Sequence, residues 1–253
     1  MQKQVSFKNG KGLTLRGMVH IPKTYDAAVV FLHGFPTHYK GTAPTRIAFS
    51  LEKAGFLTLR FSYSHCQYSD GNVEDMLMSA MVSDTKFAID YLYKHYRFKR
   101  LILIGQSTGA IVGALYAWKD KRIAKLVLTG VVSKLDEAVH YDFSDRQIRD
   151  FWMKGYARLK SDRRYYHRKK LSKKFYDEFF TLNIPAAIKK FKKPLLIMHG
   201  TADEAVPASK DPLELYDFAH KPKKLVLIKG ASHSFKKHWK QYMNHLVAFI
   251  RKT

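Results

Sequence analysis

The stretch LILIGQSTGAIVGAL, residues 101–115, indicates the fold of this chain. An apolar run, 101–104, precedes the pentapeptide Gly105-Gln106-Ser107-Thr108-Gly109, and small apolar residues follow it. A strand, a G-x-S-x-G turn and a helix in this order form a nucleophile elbow, in which the serine has strained backbone angles. Glycines two positions to each side avoid collisions with the adjacent strand and helix. The alternative is a glycine-rich turn with a solvated serine.

Two further residues support the elbow. A serine hydroxyl is a poor nucleophile at neutral pH and needs a base, which in turn needs an orienting carboxylate. Asp203 lies in the loop 201–207 after a predicted strand, 194–198, and His233 follows the predicted strand 224–228. The order Ser, Asp, His is the one that G-x-S-x-G hydrolases use. The sequence therefore predicts Ser107 as nucleophile, His233 as base and Asp203 as the orienting acid.

The segment His33-Gly34-Phe35-Pro36 directly follows the apolar run 27–32. Acyl transfer needs backbone N–H donors aimed at the developing oxyanion. One predicted donor is the N–H of Thr108, the residue after the nucleophile, and the other is the N–H of Phe35. Since only one base is needed, His33 is interpreted as bracing this loop.

Apolar runs alternate with helical patterns over most of the chain. The pattern predicts an α/β fold, a mainly parallel sheet with helices on both faces. An entry hairpin over 5–21, turned at 9–12, is also predicted. The predicted strands are 27–32, 57–62, 100–104, 125–129, 194–198 and 224–228, and the predicted helices lie near 43–54, 75–95, 108–119, 208–219 and 236–251.

Together these motifs resemble the α/β-hydrolase superfamily over roughly residues 5–250. Within it, the chain resembles small cinnamoyl/feruloyl-esterase-type and monoacylglycerol-lipase-like serine esterases. This finer resemblance rests on HGF at 33–35, GTADE at 200–204 with Val206-Pro207, and SHSF at 232–235. The loop 60–71 departs from those relatives, because Ser62 replaces an aspartate and His65 and Gln67 replace glycines. The elbow differs as well, with Gln106 and Thr108 beside the serine.

The interval 133–183, called the insert below, breaks the alternation and is rich in aromatic residues. The resemblance implies that a cap is inserted here over the nucleophile, where it would exclude water and shape the pocket. The predicted organisation is a core formed by 1–132 and 184–253 with a cap at 133–183. The alternative is a helical hairpin whose aromatics pack on the core without touching substrate.

Composition limits the remaining possibilities. The 253 residues are enough for one α/β domain, and the 46% of hydrophobic residues is typical of a globular chain. One cysteine, Cys66, excludes an intrachain disulfide, and no apolar run or N-terminal leader pattern suggests a membrane or secretory segment. A cytoplasmic location is expected. No metal-ligand spacing is present, so neither a metal nor a cofactor is expected.

The net charge is +24, with 45 basic and 21 acidic residues. One basic run, 160–174, holds eight Lys or Arg residues against the single acid Asp162. Such a surface attracts anionic lipid, nucleic acid or acidic substrates, although no nucleic-acid-binding motif is visible. The alternative is a solvated basic face without a partner.

These observations favour a cofactor-independent carboxylesterase that acts on a small-molecule ester through an acyl-enzyme. A lipid-ester hydrolase docked on an anionic membrane is the main alternative, and thioester or peptide cleavage would use the same residues. A binding protein with a relic site is the non-enzymatic alternative. The sequence leaves the oligomeric state open.

Overall fold

The structure is a computed structural model and describes residues 1–252. Eight strands form one sheet in the order β1-β2-β4-β3-β5-β6-β9-β10. The β1–β2 and β2–β4 pairs are antiparallel, and the other pairs are parallel. The strands are β1 (Gln2–Lys8), β2 (Thr14–His20), β3 (Ala27–Leu32), β4 (Leu57–Phe61), β5 (Arg100–Gln106), β6 (Ile123–Thr129), β9 (Leu195–Gly200) and β10 (Lys223–Ile228), with β7 (Tyr156–Arg158) and β8 (Lys170–Ser172) in a separate two-stranded sheet.

Helices cover both faces of the large sheet, and the side chains of β3 therefore enter two separate hydrophobic cores. Side chains of a strand point alternately to the two faces. Ala28, Val30 and Leu32 enter one core, whereas Val29 and Phe31 enter the other. The helices are α1 (Thr42–Lys53), α2 (Met78–His95), α3 (Thr108–Ala117), α4 (Leu135–Asp142), α5 (Asp145–Lys154), α6 (Lys173–Thr181), α7 (Ile184–Lys190), α8 (Asp211–Phe218) and α9 (Trp239–Arg251).

The predicted fold class is confirmed. The six predicted strands are present with ends shifted by at most two residues, and the five predicted helices with ends shifted by at most three. The entry hairpin is also present as β1 and β2. The C-terminal helix α9 buries Tyr242, Leu246 and Ile250, in agreement with the core role that its apolar spacing indicates.

The insert contains α4, α5, β7, β8 and α6, and lies between β6 and β9. Its aromatic side chains pack on one another: the ring centroid of Phe143 lies 5.1 Å from that of Phe151 and 5.3 Å from that of Phe179. The same side chains belong to the hydrophobic cluster that contains α2 and α3. The insert is therefore continuous with one of the two cores of the sheet.

No helix within residues 1–252 is both long enough and apolar enough to cross a lipid bilayer.

Candidate active site

The elbow has the predicted form. Ser107 lies between β5 and α3 with φ 55° and ψ −128°, a backbone conformation that is strained for a residue with a side chain. Its N–H donates to the carbonyl of Thr129 on the neighbouring strand at 2.9 Å. The strained serine is thus anchored to the sheet next to it.

The flanking glycines are required by close contacts. A Cβ on Gly105 would overlap the backbone of Gly109, and a Cβ on Gly109 would overlap the carbonyl oxygen of Leu32 at the end of β3. The start of α3 therefore packs directly on the ends of β5 and β3. This contact lifts the Ser107 side chain clear of the sheet.

The predicted acid, Asp203, and the predicted base, His233, are joined by a hydrogen bond. His233 Nδ1 lies 2.8 Å from Asp203 Oδ2 and 3.0 Å from Asp203 Oδ1. Asp203 also accepts the N–H groups of Ala205 and Val206, each at 2.9 Å. These hydrogen bonds fix the carboxylate and present the opposite edge of the imidazole to the cavity.

His199 is a second histidine at the carboxylate that sequence reasoning missed. Its Nε2 lies 3.2 Å from Asp203 Oδ2 and 3.0 Å from the Val206 carbonyl. Burial by itself would raise the pKa of Asp203, but hydrogen bonds from His199 and His233 outweigh it and hold that pKa below its ordinary range. Asp203 is therefore ionised at neutral pH. The only sequence feature that pointed to a role for His199 is its position at the end of a buried strand.

Ser107 and His233 line one cavity of about 500 Å³, called the Ser107 cavity. No hydrogen bond joins the two side chains in the part of the chain that the structure describes; such bonds often tighten only when substrate is bound. Gly130, which follows β6, makes room for the base, because a Cβ there would lie 2.7 Å from His233 Cε1. The role of Gly130, like that of His199, is not apparent from the sequence.

The predicted oxyanion loop lies against the nucleophile. A Cβ on Gly34 would lie 2.9 Å from Ser107 Cβ, so the loop backbone approaches the serine closely. Within residues 1–252, neither the N–H of Phe35 nor that of Thr108 has a hydrogen-bond acceptor. Both donors are accordingly available to a ligand.

A tyrosine of the insert ties this loop to the rest of the molecule. The hydroxyl of Tyr166 donates to the Thr37 carbonyl at 2.8 Å and accepts the Gln67 N–H at 3.0 Å. Its ring packs edge-on against Phe35, with centroids 5.3 Å apart. Tyr166 is fully buried, and both of its hydrogen bonds are partly buried.

His33 occupies the bracing position expected of it. Its Nδ1 lies 2.8 Å from the Gly34 carbonyl, and its ring packs on Tyr63. His33 Nε2 is buried without a hydrogen-bond partner among the described residues. Burial lowers the pKa of His33 to about 4. The side chain is therefore neutral at physiological pH and holds the loop through Nδ1–H.

An apolar pocket of about 290 Å³ adjoins the Ser107 cavity. Phe35, Pro36, Asp142 and Lys160 line both spaces. The other residues that line the apolar pocket are Met78, Thr108, Ile111, Phe143, Gln147, Leu159, Leu171, Phe175 and Phe179. Most of this wall is apolar, and most of it comes from the insert.

Asp142, at the end of α4, was also not predicted. Its side chain is exposed and lines both the Ser107 cavity and the apolar pocket. Desolvation by the surrounding protein raises the pKa of Asp142 to about 6, against the opposing effect of the His233 charge. The site thus holds a carboxyl group that changes ionisation near neutral pH.

Cys66 is not part of the site. It is fully buried, and burial raises the pKa of its thiol to about 12, so little nucleophilic thiolate forms. Among residues 1–252, no group of three or more His, Cys, Asp or Glu side chains is arranged to hold a metal ion.

The sheet order, the elbow and the loop positions together define an α/β-hydrolase. Residues 23–178 match the family described as serine aminopeptidase, S33, and since the match covers more than half of the chain, the chain belongs to that family of hydrolases. The matched segment contains Phe35 and Ser107 but ends before Asp203 and His233. A comparison with curated proteins finds no match.

Solved structures show the same fold. The ferulic-acid-bound structure of Est1E from Butyrivibrio proteoclasticus has a TM-score of 0.83 and 22% sequence identity, covering 97% of each chain. The α/β-hydrolase GrgF from Penicillium sp. sh18 has a TM-score of 0.81 and 18% identity, covering 99% of this chain and 98% of its own. The esterase domain of a Rhodothermus marinus protein has a TM-score of 0.75 and 21% identity, with 99% and 98% covered.

Replacing Tyr166 by Phe should lower the free energy of unfolding by about 1–3 kcal/mol, because the Thr37 carbonyl and the Gln67 N–H lose their partner in a partly buried position. Urea denaturation measures the change. Tyr165→Phe is the matched control, since the Tyr165 hydroxyl makes no hydrogen bond among the described residues; it should stay within about 0.5 kcal/mol of the wild type. Equal effects of the two variants would contradict the anchoring of the loop by Tyr166.

Acid should destabilise the protein through His33. Because the pKa in the folded state lies below the ordinary value of 6.5, the stabilising effect of a neutral His33 is complete above pH 6.5 and is lost as the pH falls through about 4. Burial, with Arg163 and Lys40 nearby, lowers the pKa of His38 to about 4 as well, so His33 accounts for only part of the loss.

Urea denaturation from about pH 8 to about pH 4 checks this expectation. In His33→Gln the loss of stability below about pH 6.5 should be smaller than in the wild type, while the difference between the two proteins should be constant above about pH 7.5. Parallel curves over the whole range would show that His33 is not the buried neutral group.

Proposed function

We propose that the chain is a cofactor-independent serine carboxylesterase. The single observation that carries the proposal is the shared cavity: strained Ser107 and Asp203-oriented His233 open into the same space. In the proposed reaction, Ser107 Oγ attacks the ester carbonyl while His233 Nε2 takes its proton. His233 then protonates the leaving alcohol. Water, activated by the same imidazole, hydrolyses the acyl-enzyme and releases the carboxylic acid and free Ser107.

Two local features lower the barrier in this proposal. The N–H groups of Phe35 and Thr108 hold the negative charge that develops on the carbonyl oxygen. Phe35 lines both the Ser107 cavity and the apolar pocket, and Thr108, the residue after the nucleophile, lines the apolar pocket. Asp203 keeps the proton on His233 Nδ1 and stabilises the imidazolium that forms. Two properties of the Asp203 carboxylate support this role: it is ionised at neutral pH, and two backbone N–H groups and two histidines donate to it.

We propose further that the insert, 133–183, is a cap on a core formed by 1–132 and 184–253. Its side chains supply most of the apolar pocket beside Ser107, which is the place for the acyl group. The substrates tested should include aromatic acyl esters, because phenylalanine rings line the pocket and Est1E is described with ferulic acid bound. The cytoplasmic location stays a prediction.

Ser107→Ala and His233→Ala should each lower kcat for p-nitrophenyl acetate by a factor on the order of 10⁴ or more, because both remove the activated nucleophile. Asp203→Asn should cost somewhat less, since the base remains. Glu204 is the nearby acid to compare, and its Oε2 accepts the backbone N–H of His233 at 3.3 Å rather than contacting the ring. Glu204→Gln is therefore the matched control and should retain most activity.

A fluorophosphonate gives a second readout of the same assignment. It should add once per chain, at Ser107, and peptide mass spectrometry locates the label. Near-wild-type turnover by Ser107→Ala, or a label on another residue, would refute the assignment. Aminoacyl p-nitroanilides and acyl thioesters in the same panel distinguish esterase from peptidase and thioesterase activity.

A lipid-ester hydrolase is the second candidate, and an exposed apolar patch favours it. Trp152 is 64% exposed, Met153 79% and Phe180 55%, all three on the insert. The rings of Trp152 and Phe180 both pack against the buried ring of Tyr176. Lys173 lies over the Trp152 ring at 4.1 Å. Exposed aromatics beside lysines are typical of a surface that contacts anionic lipid.

Vesicles of phosphatidylserine should bind the protein more strongly than neutral vesicles at low salt. Each basic residue close to the anionic lipid surface contributes up to about 1 kcal/mol of binding free energy. Cosedimentation measures the bound fraction. The double variant Trp152→Ser/Phe180→Ser should reduce binding, whereas Leu227→Ser, which alters an exposed apolar residue on β10, should not. Equal recovery with both vesicle types would leave the basic residues as a solvated face. Heparin and RNA serve as polyanion controls.

A further inference from the structure

A large cleft lies on the insert beside the apolar pocket. It has a volume of about 680 Å³, compared with about 500 Å³ for the Ser107 cavity. It is bounded by α5, β7 and the segment that follows β7. The residues that line it are Arg146, Gln147, Asp150, Lys154, Tyr156, Arg158, Leu159, Lys160, His167 and Arg168. We call it the cationic cleft.

The charges of the cationic cleft are poorly compensated. Five Lys or Arg side chains face one carboxylate, Asp150, whose Oδ1 lies 2.7 Å from Lys154 Nζ. Within residues 1–252, no carboxylate lies within 4 Å of the charged nitrogens of the other four, Arg146, Arg158, Lys160 and Arg168. Cations gathered in a concave site repel one another and attract an anion. Arginines in particular hold carboxylate or phosphate oxygens in paired hydrogen bonds.

Only one layer of side chains separates the cationic cleft from the apolar pocket. Gln147 and Leu159 line both spaces but not the Ser107 cavity. Gln147 is fixed, because its Nε2 donates to the Arg158 carbonyl at 3.1 Å. Lys160 lines all three spaces, is exposed, and has a flexible side chain. The ammonium group of Lys160 can therefore move aside or turn towards an anion.

We propose that the cationic cleft binds an anionic group at the far end of the substrate's acyl chain. This inference rests on the proposed function. The ester carbonyl would lie at Ser107, the apolar part of the chain against Phe175 and Phe179, and a terminal carboxylate past the Lys160 side chain, among the arginines. The substrate class is the half-ester of a medium-length dicarboxylic acid, cleaved by water to the dicarboxylic acid and the free alcohol.

The one acid of the apolar pocket does not oppose this arrangement. Asp142 lines the Ser107 cavity and the apolar pocket but not the cationic cleft. Its charge therefore faces the reacting end of the chain and not the terminal carboxylate. A short dicarboxylic half-ester would keep its carboxylate inside the apolar pocket, where desolvation disfavours the charge.

The test compares two esters whose acyl chains have equal carbon number, monomethyl azelate and methyl nonanoate. Wild-type kcat/KM should be at least about tenfold higher for monomethyl azelate at low salt, and the preference should shrink at high salt as screening increases. Monomethyl succinate should show no such advantage over methyl butyrate. Arg146→Gln should reduce the azelate preference at least about fivefold, because it removes one of the four described cations that have no carboxylate within 4 Å.

Arg149→Gln is the matched control, since Arg149 is exposed on the same helix but does not line the cationic cleft. It should keep the wild-type preference. If both esters are hydrolysed but the preference is absent, or Arg146→Gln and Arg149→Gln behave alike, the anion site is refuted while the esterase proposal stands.

Binding gives a readout that does not depend on turnover. Calorimetry with the Ser107→Ala protein should show monomethyl azelate binding that weakens with salt and with the added Arg146→Gln change. If neither ester is hydrolysed by the wild type, the proposed function fails, and this measurement still decides whether the anion site exists. Absence of salt-sensitive, Arg146-dependent binding would refute the anion site.

Discussion

The rest of the site depends on the strained backbone of Ser107. A side chain at φ 55° is unfavourable, and it persists because three neighbouring strands hold the turn. The Thr129 carbonyl on β6 accepts the Ser107 N–H, and Gly105 lies one residue before the end of β5. The absent side chain of Gly109 lets α3 rest on the end of β3. The same three strands lead into the oxyanion loop, the elbow and Gly130. Their carboxyl ends meet at one edge of the sheet, which is where ligands bind in open α/β folds.

A second constraint concerns the buried carboxylate of Asp203. A buried charge is costly unless hydrogen bonds compensate it. Two backbone N–H groups and two histidines supply them, and β9 and the loop after it position three of the four. His199 therefore links the end of β9 to the acid, and the acid fixes the base. The orientation of His233 follows from the packing of a strand that never touches the Ser107 cavity.

The core was predictable because each buried strand is an apolar run between turn residues, and because the elbow is a local motif. The candidate Ser, Asp and His were found from their positions after strands, and the structure places them together. His199 and Gly130 were missed because their importance comes from contacts between distant segments. The individual elements of the insert, α4, α5, β7, β8 and α6, and the helix α7 were not predicted either, since short elements of three to ten residues show too little periodicity.

The basic run 160–174 shows that a sequence alone does not reveal the separate surroundings of neighbouring charged residues. Its members look like one charged surface, but they have separate surroundings. Lys160 and Arg168 line the cationic cleft, Arg163 lines the Ser107 cavity, and Lys173 lies over Trp152. A charge on an open face loses most of its effect beyond about 8 Å at physiological salt. A charge held in a concave site beside low-dielectric walls keeps more of it. The folding of the insert therefore decides which of the 45 basic residues can select a substrate.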